Sequence, residues 1–160
     1  MTRVAAGLVV LLAALMQVTW APQLTVLGAF PNLVLVLVVV ITWTRGQRAG
    51  LVSACGGGLL LDLTAPGPLG AHALALLAAA YLVGFWVRNV DPAQLVHAVI
   101  ATAACTAVYS LVLIGADNLL DLPMPPLDVA AQLAVTAAAY NAILVVPALL
   151  LGRRRRVRPA

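Results

Sequence analysis

Polar residues break this chain at only a few points, and apolar runs fill the intervals. The first run, from Val4 to Trp20, is interrupted only by Gln17 and Thr19. Comparable runs recur further on, over about 30–44, 50–63, 70–87, 93–115 and 129–152. A helix needs roughly 20 predominantly apolar residues to cross a hydrocarbon core, with about 17 as the usual minimum. The pattern therefore predicts an all-α integral membrane protein: one domain over 1–160, with six transmembrane helices at about 4–20, 30–44, 50–63, 70–87, 93–115 and 129–152. The Val/Leu run from Leu33 to Ile41 invites a strand reading. A membrane strand must alternate apolar with polar positions; this run has no polar member, so a helix is expected, with Pro31 in its first turn. The third run holds Gly56-Gly57-Gly58, each costing about 1 kcal/mol in helix propensity. Either tight packing or a local break must offset that cost.

Charge orients this map. All nine basic residues are arginines. Arg3 opens the chain, Arg45 and Arg48 follow the second run, Arg88 follows the fourth, and Arg153, Arg154, Arg155, Arg156 and Arg158 close the sequence. With two crossings between consecutive clusters, every arginine falls on one side, which the positive-inside rule identifies as cytoplasmic. Both termini are then cytoplasmic, and the expected location is the bacterial plasma (inner) membrane with multiple passes. Arg45, Arg48, Arg88, Arg153, Arg154, Arg155 and Arg156 read as anchors in the lipid headgroups. Asp62, Asp117, Asp121 and Asp128 fall on the opposite side, and Asp91 with the arginines. Trp20, Trp43 and Trp86 sit at span ends, where an interfacial belt wants them. The N-terminus imitates a signal peptide, but Pro22 follows Ala21 at the only plausible cut, so the first run is expected to stay as a span.

Composition excludes a soluble globule. Of the 160 residues 64% are apolar and 9% charged, Lys and Glu are absent, and mean hydropathy is +1.08. A soluble domain carries about 25% charged residues. The +4 net charge belongs to helix ends facing the lipid bilayer, so no nucleic-acid partner is expected. Cys55 and Cys105 lack metal-ligand spacing and read as small buried hydrophobes.

Chemistry has few carriers. Ser53, Ser110, His72 and His97 are scattered, and nothing resembles a nucleophile with its base. Neither an enzyme, nor a cofactor, nor a metal site is expected. Asp62 ends the third span, where it either reaches water or pairs with His72 across the turn; carboxylates inside membranes are functional candidates by default. Gly50, Ala54 and Gly58 follow small-xxx-small spacing, with Ala80 and Gly84 as a weaker pair. Such seams serve internal packing or docking of a partner helix. Tyr140 and Asn141 lie near the middle of the sixth span, as an interhelical clamp or as the lining of a cavity with Gln132 and Thr136. His97 reads as an interfacial residue.

From Pro31 to Gly84 the chain resembles the MreD family of rod shape-determining membrane proteins. Pro31-Asn32 opens a span, Arg45-Gly46 makes a short turn, and Gly50 follows. The most specific stretch is Gly58-Leu59-Leu60-Leu61-Asp62-Leu63 followed by Pro68-Leu69-Gly70, then Ala73-Leu74 and Tyr81-Leu82-Val83-Gly84. Where the family usually has an aromatic residue before the third-span glycines, this chain has Ala54-Cys55. The resemblance implies a non-enzymatic part of the cell-elongation machinery. Its partner would be MreC, a single-span protein, and through it MreB and a RodA-type glycosyltransferase with its transpeptidase, directing lateral peptidoglycan synthesis. A second copy of the chain is a further candidate partner. The family is also similar in fold to the substrate-binding components of energy-coupling-factor transporters. The alternative is therefore a vitamin-type small-molecule subunit, with Gln17, Asp62, His72, Tyr109, Gln132 and Tyr140 as cavity candidates.

Overall fold

The computed structural model describes residues 3–25, 28–64, 67–123 and 125–154. It contains α1 (Arg3–Thr19), α2 (Leu33–Arg45), α3 (Gln47–Thr64), α4 (Ala71–Asn89), α5 (Leu95–Leu119) and α6 (Leu127–Arg154), with a short 3₁₀ turn at Ala21–Leu24. No strand occurs among the described residues. Every run expected to be a span is a helix.

Helix α2 explains its own sequence. A helix that is apolar all round suits either a protein core or a membrane span, and here it takes the core: Val34, Leu35, Val38 and Val39 are fully buried. It packs against α1, α3, α4, α5 and α6. Around it the neighbours run α1–α3–α4–α5–α6, and no broad contact joins α6 back to α1. Asn32 caps α2, its side chain accepting the Leu35 N–H at 2.9 Å. Pro31 therefore precedes the cap and lies outside the first turn, contrary to expectation, because only Asn32 supplies the side-chain oxygen a cap needs. At the other end Gly46, with φ +91°, donates its N–H to Thr42 O and turns the chain directly into α3.

The three glycines of α3 stay helical, and tight packing offsets their cost. A Cβ on Gly57 would sit 2.7 Å from Val34 Cγ1, and one on Gly58 would sit 2.2 Å from the Cα of Ala73. Gly56 faces outward with nothing within 4 Å.

Helices α4, α5 and α6 are each long and apolar enough to cross a membrane, with mean hydropathies of 1.5, 2.0 and 2.0. The outer surface carries Leu12, Val52, Leu63, Phe85, Leu111, Val135 and Ile143 as exposed side chains. Water would penalise that surface at about 25 cal/mol per Å², and lipid would not. The chain is a membrane protein.

One end of the bundle carries the three arginines whose side chains are described. Arg45, Arg48 and Arg88 surround a shallow pocket there with Gln47, and Arg88 Nη2 donates to Gln47 Oε1 at 2.6 Å. Arg153 and Arg154 end α6 at the backbone level, while Arg155, Arg156 and Arg158 lie outside the described residues. Trp43 departs from the belt expectation: it is buried and donates its indole N–H to Pro92 O at 3.1 Å, pinning the α4–α5 turn to α2. His97 Nδ1 and Trp86 Nε1 are buried with no hydrogen-bond partner among the described residues. Cys105 is buried as expected, but Cys55 is exposed on the apolar surface.

Candidate functional site

The most developed site results from a mismatch in helix length. At about 1.5 Å per residue, the 13 residues of α2 rise about 20 Å. The 25 residues of α5 and 28 of α6 rise about 37 and 42 Å by the same measure. The central helix thus begins partway up the bundle, where its first N–H groups cannot reach water. Those orphan donors need partners. Asn141 Oδ1 accepts the Asn32 N–H at 2.8 Å, and Gln17 Oε1 accepts the Leu33 N–H. Asn32's own oxygen takes Leu35. Asn141 then donates through Nδ2 to Thr106 Oγ1 at 3.0 Å, and Thr106 donates to Thr102 O at 2.9 Å. Asn141, Thr102 and Thr106 are almost fully buried, so this polar chain ties α2, α5 and α6 together inside the apolar bundle.

Beyond the start of α2, the space it does not fill is a cavity of about 510 Å³. Its wall is mostly apolar, with Phe30, Leu61, Leu113, Ile114, Leu133 and Ala137. Its polar members are Gln17, Asn32, Thr64, His72, Thr106, Tyr109, Ser110, Asp117 and Asn141. His72 meets Tyr109 edge to face, with ring centroids 6.2 Å apart and planes at 64°.

Asp62 and His72 do pair. Asp62 Oδ1 lies 3.0 Å from His72 Nδ1, and its side chain is 1% exposed. The same carboxylate accepts the backbone N–H groups of His72 at 2.9 Å and Ala73 at 3.2 Å. These are first-turn donors of α4, whose own cap position is Gly70 with no side chain to offer. Asp62 therefore caps α4 from α3, and its negative charge faces the positive end of the α4 dipole.

The small-residue seam lies within the bundle. Ala54 and Ala80 are fully buried; a Cβ on Gly50 would strike Thr42 of α2, and one on Gly84 would lie 2.6 Å from Gln47 Cγ. Of the two uses open to Gly50, Ala54, Gly58, Ala80 and Gly84, the structure shows internal packing. Asn141 is the interhelical clamp expected of it, and it also lines the cavity. Tyr140 instead donates its hydroxyl to Leu24 O at 3.1 Å. Gln132 is exposed, Thr136 bonds back to Gln132 O, and neither lines the cavity; that grouping is corrected. Their spacing puts them on one helix face, but that face is not the one turned to the cavity. Sequence reasoning passed over Asn32, Thr106 and Ser110. The available signal was weak: an Asn at the start of an apolar run, and Thr102 with Thr106 spaced by four.

Among the described residues no three His, Cys, Asp or Glu side chains gather as a metal site would require. No curated protein and no solved structure matches the chain. The family model described as rod shape-determining protein MreD matches residues 2–151, nearly the whole chain. With nearly the whole chain matched, the chain belongs to the MreD family of rod shape-determining membrane proteins.

Proposed function

We propose that this chain is a non-enzymatic, six-span component of the bacterial inner-membrane machinery for cell elongation. In that role it binds MreC and helps direct lateral peptidoglycan synthesis, with MreB and a RodA-type glycosyltransferase and its transpeptidase as indirect partners. The family match over residues 2–151 is the observation that carries this reading. The apolar exterior is consistent with contacts made inside the bilayer. With the small-residue seam occupied by the chain's own helices, partner contacts fall to lipid-facing side chains or to the loops. Orientation follows from the arginines: their end is cytoplasmic by the positive-inside rule, and the cavity end faces the side where the wall is built. The shortness of α2 does not prevent its run from completing a crossing, because irregular backbone at membrane depth is tolerated where protein covers it.

Depletion of the chain in its own cells tests this reading. Cells should lose rod form, and label for newly made wall should no longer be confined to the side wall. Unchanged shape and labelling after depletion would sink it. The 510 Å³ cavity favours a second reading, a vitamin-type substrate subunit of an energy-coupling-factor transporter. In that case the chain would purify with an ATPase-containing module, and depletion would abolish uptake of one small molecule without altering shape.

A further inference from the structure

The cavity beyond α2 has polar groups held in place from behind. Asp62 Oδ1 lies 3.0 Å from His72 Nδ1, and this bond fixes the orientation of the ring. Gln17 is 7% exposed and uses Oε1 on the Leu33 N–H, which fixes its amide orientation. Both side chains line the cavity. Two polar side chains held by hydrogen bonds thus line a space otherwise walled largely by aliphatic and aromatic groups. Its volume of about 510 Å³ falls within the range of about 300–1,000 Å³ common to small-molecule sites.

Charge narrows the occupant. The cavity lining contains no arginine, and the three arginines whose side chains are described, Arg45, Arg48 and Arg88, surround the pocket at the opposite end. The His72 ring is paired with the Asp62 carboxylate, and Asp117 adds a second carboxylate to the wall. An anionic headgroup would lose its hydration and find no counter-charge. A hydroxyl group, by contrast, both donates and accepts, so it can pair with the His72 ring or the Gln17 amide. We propose that this cavity binds an uncharged amphipathic molecule, its apolar body along α5 and α6 and its hydroxyl or carbonyl groups at Gln17 and His72. This assignment stands independently of the elongation role, since it uses only the cavity and its anchored groups.

The test uses the full chain in phosphatidylcholine nanodiscs, photolabelled with a monoacylglycerol bearing a diazirine in its tail. Lysophosphatidic acid with the same tail serves as the anionic comparison, and labelled residues are mapped by mass spectrometry. Monoacylglycerol should label the cavity faces of α5 and α6 saturably, and excess unlabelled monoacylglycerol should remove that label. Lysophosphatidic acid should label only lipid-facing positions such as Leu111 and Val135. Filling the cavity with Ala137→Trp should weaken the label by about ten-fold or more, equivalent to about 1.4 kcal/mol. Val135→Trp, on the lipid side, should leave it unchanged. His72→Phe keeps a ring in place and leaves both backbone bonds to Asp62, yet should cost about five-fold through loss of one hydrogen-bonding group. The competition arm needs no substitution, so a variant that fails to fold does not protect the proposal. Label that does not saturate, that survives competition, or that appears equally in the cavity with the anionic probe overturns it.

Discussion

Gly56 and Gly58 lie two residues apart in α3, about 200° around the helix axis, and face opposite surroundings. A methyl at Gly58 would press on the Cα of Ala73, which is backbone and cannot swing aside. Gly58→Ala should therefore destabilise the α3–α4 contact by about 1–3 kcal/mol, as overpacking does. Gly56→Ala meets nothing within 4 Å and should be neutral or stabilising by up to about 1 kcal/mol through helix propensity. Thermal unfolding of both variants in detergent checks the contrast; equal loss in both would refute the packing assignment. Asp62 makes a similar case. Asp62→Ala strands two first-turn N–H groups of α4 and the His72 ring N–H, so unfolding in mild detergent should show a loss of about 2–3 kcal/mol. This pairing was one of two readings open in the chain, because a spacing of ten across a turn with Gly67, Pro68 and Gly70 permits the contact without requiring it. That the carboxylate also caps α4 was not legible, since the absence of a cap at Gly70 shows only once the helix start is known.

Helix α2 shows what a run of residues can and cannot disclose. Its uniform Val/Leu character marks a membrane helix, but not which helix stands at the centre of the bundle. Its starting depth depends on Asn141 and Gln17, which come from helices distant in sequence, so the cavity it leaves could not be read from the run itself. The glycine triplet left packing and breakage equally open, and only Val34 and Ala73 on neighbouring helices decided for packing. In α6 the spacing of Gln132, Thr136 and Tyr140 correctly placed them on one face, but spacing carries no information about what that face meets. The start of α2 yields a test at this scale. Asn141→Leu preserves volume roughly but removes the acceptor for the Asn32 N–H and the donor to Thr106. A loss of about 1–3 kcal/mol is expected in detergent unfolding, with faster proteolysis in the segment leading into α2. Wild-type stability in this variant would mean that the buried polar chain does not hold the helix start.

For the whole molecule, the arginine clusters were the most informative reading of the sequence. They imply alternating helices with one basic end, and the bundle has Arg45, Arg48 and Arg88 together at one end. The order α1–α3–α4–α5–α6 around α2 was beyond reach, because hydropathy ranks burial but names no neighbours. Orientation is testable in a Cys55→Ala, Cys105→Ala background. A cysteine at Leu120 should react with a membrane-impermeant maleimide in intact cells, and one at Arg48 only after permeabilisation; the reverse pattern would invert the topology. Membership in the MreD family makes partner binding the central functional claim. Its most direct measurement is the amount of MreC recovered when the tagged chain is purified from its native membranes. The elongation role predicts MreC in near-equal amount, retained through detergent washing and without an ATPase module. MreC at background level, with an ATPase-containing module in its place, would contradict it.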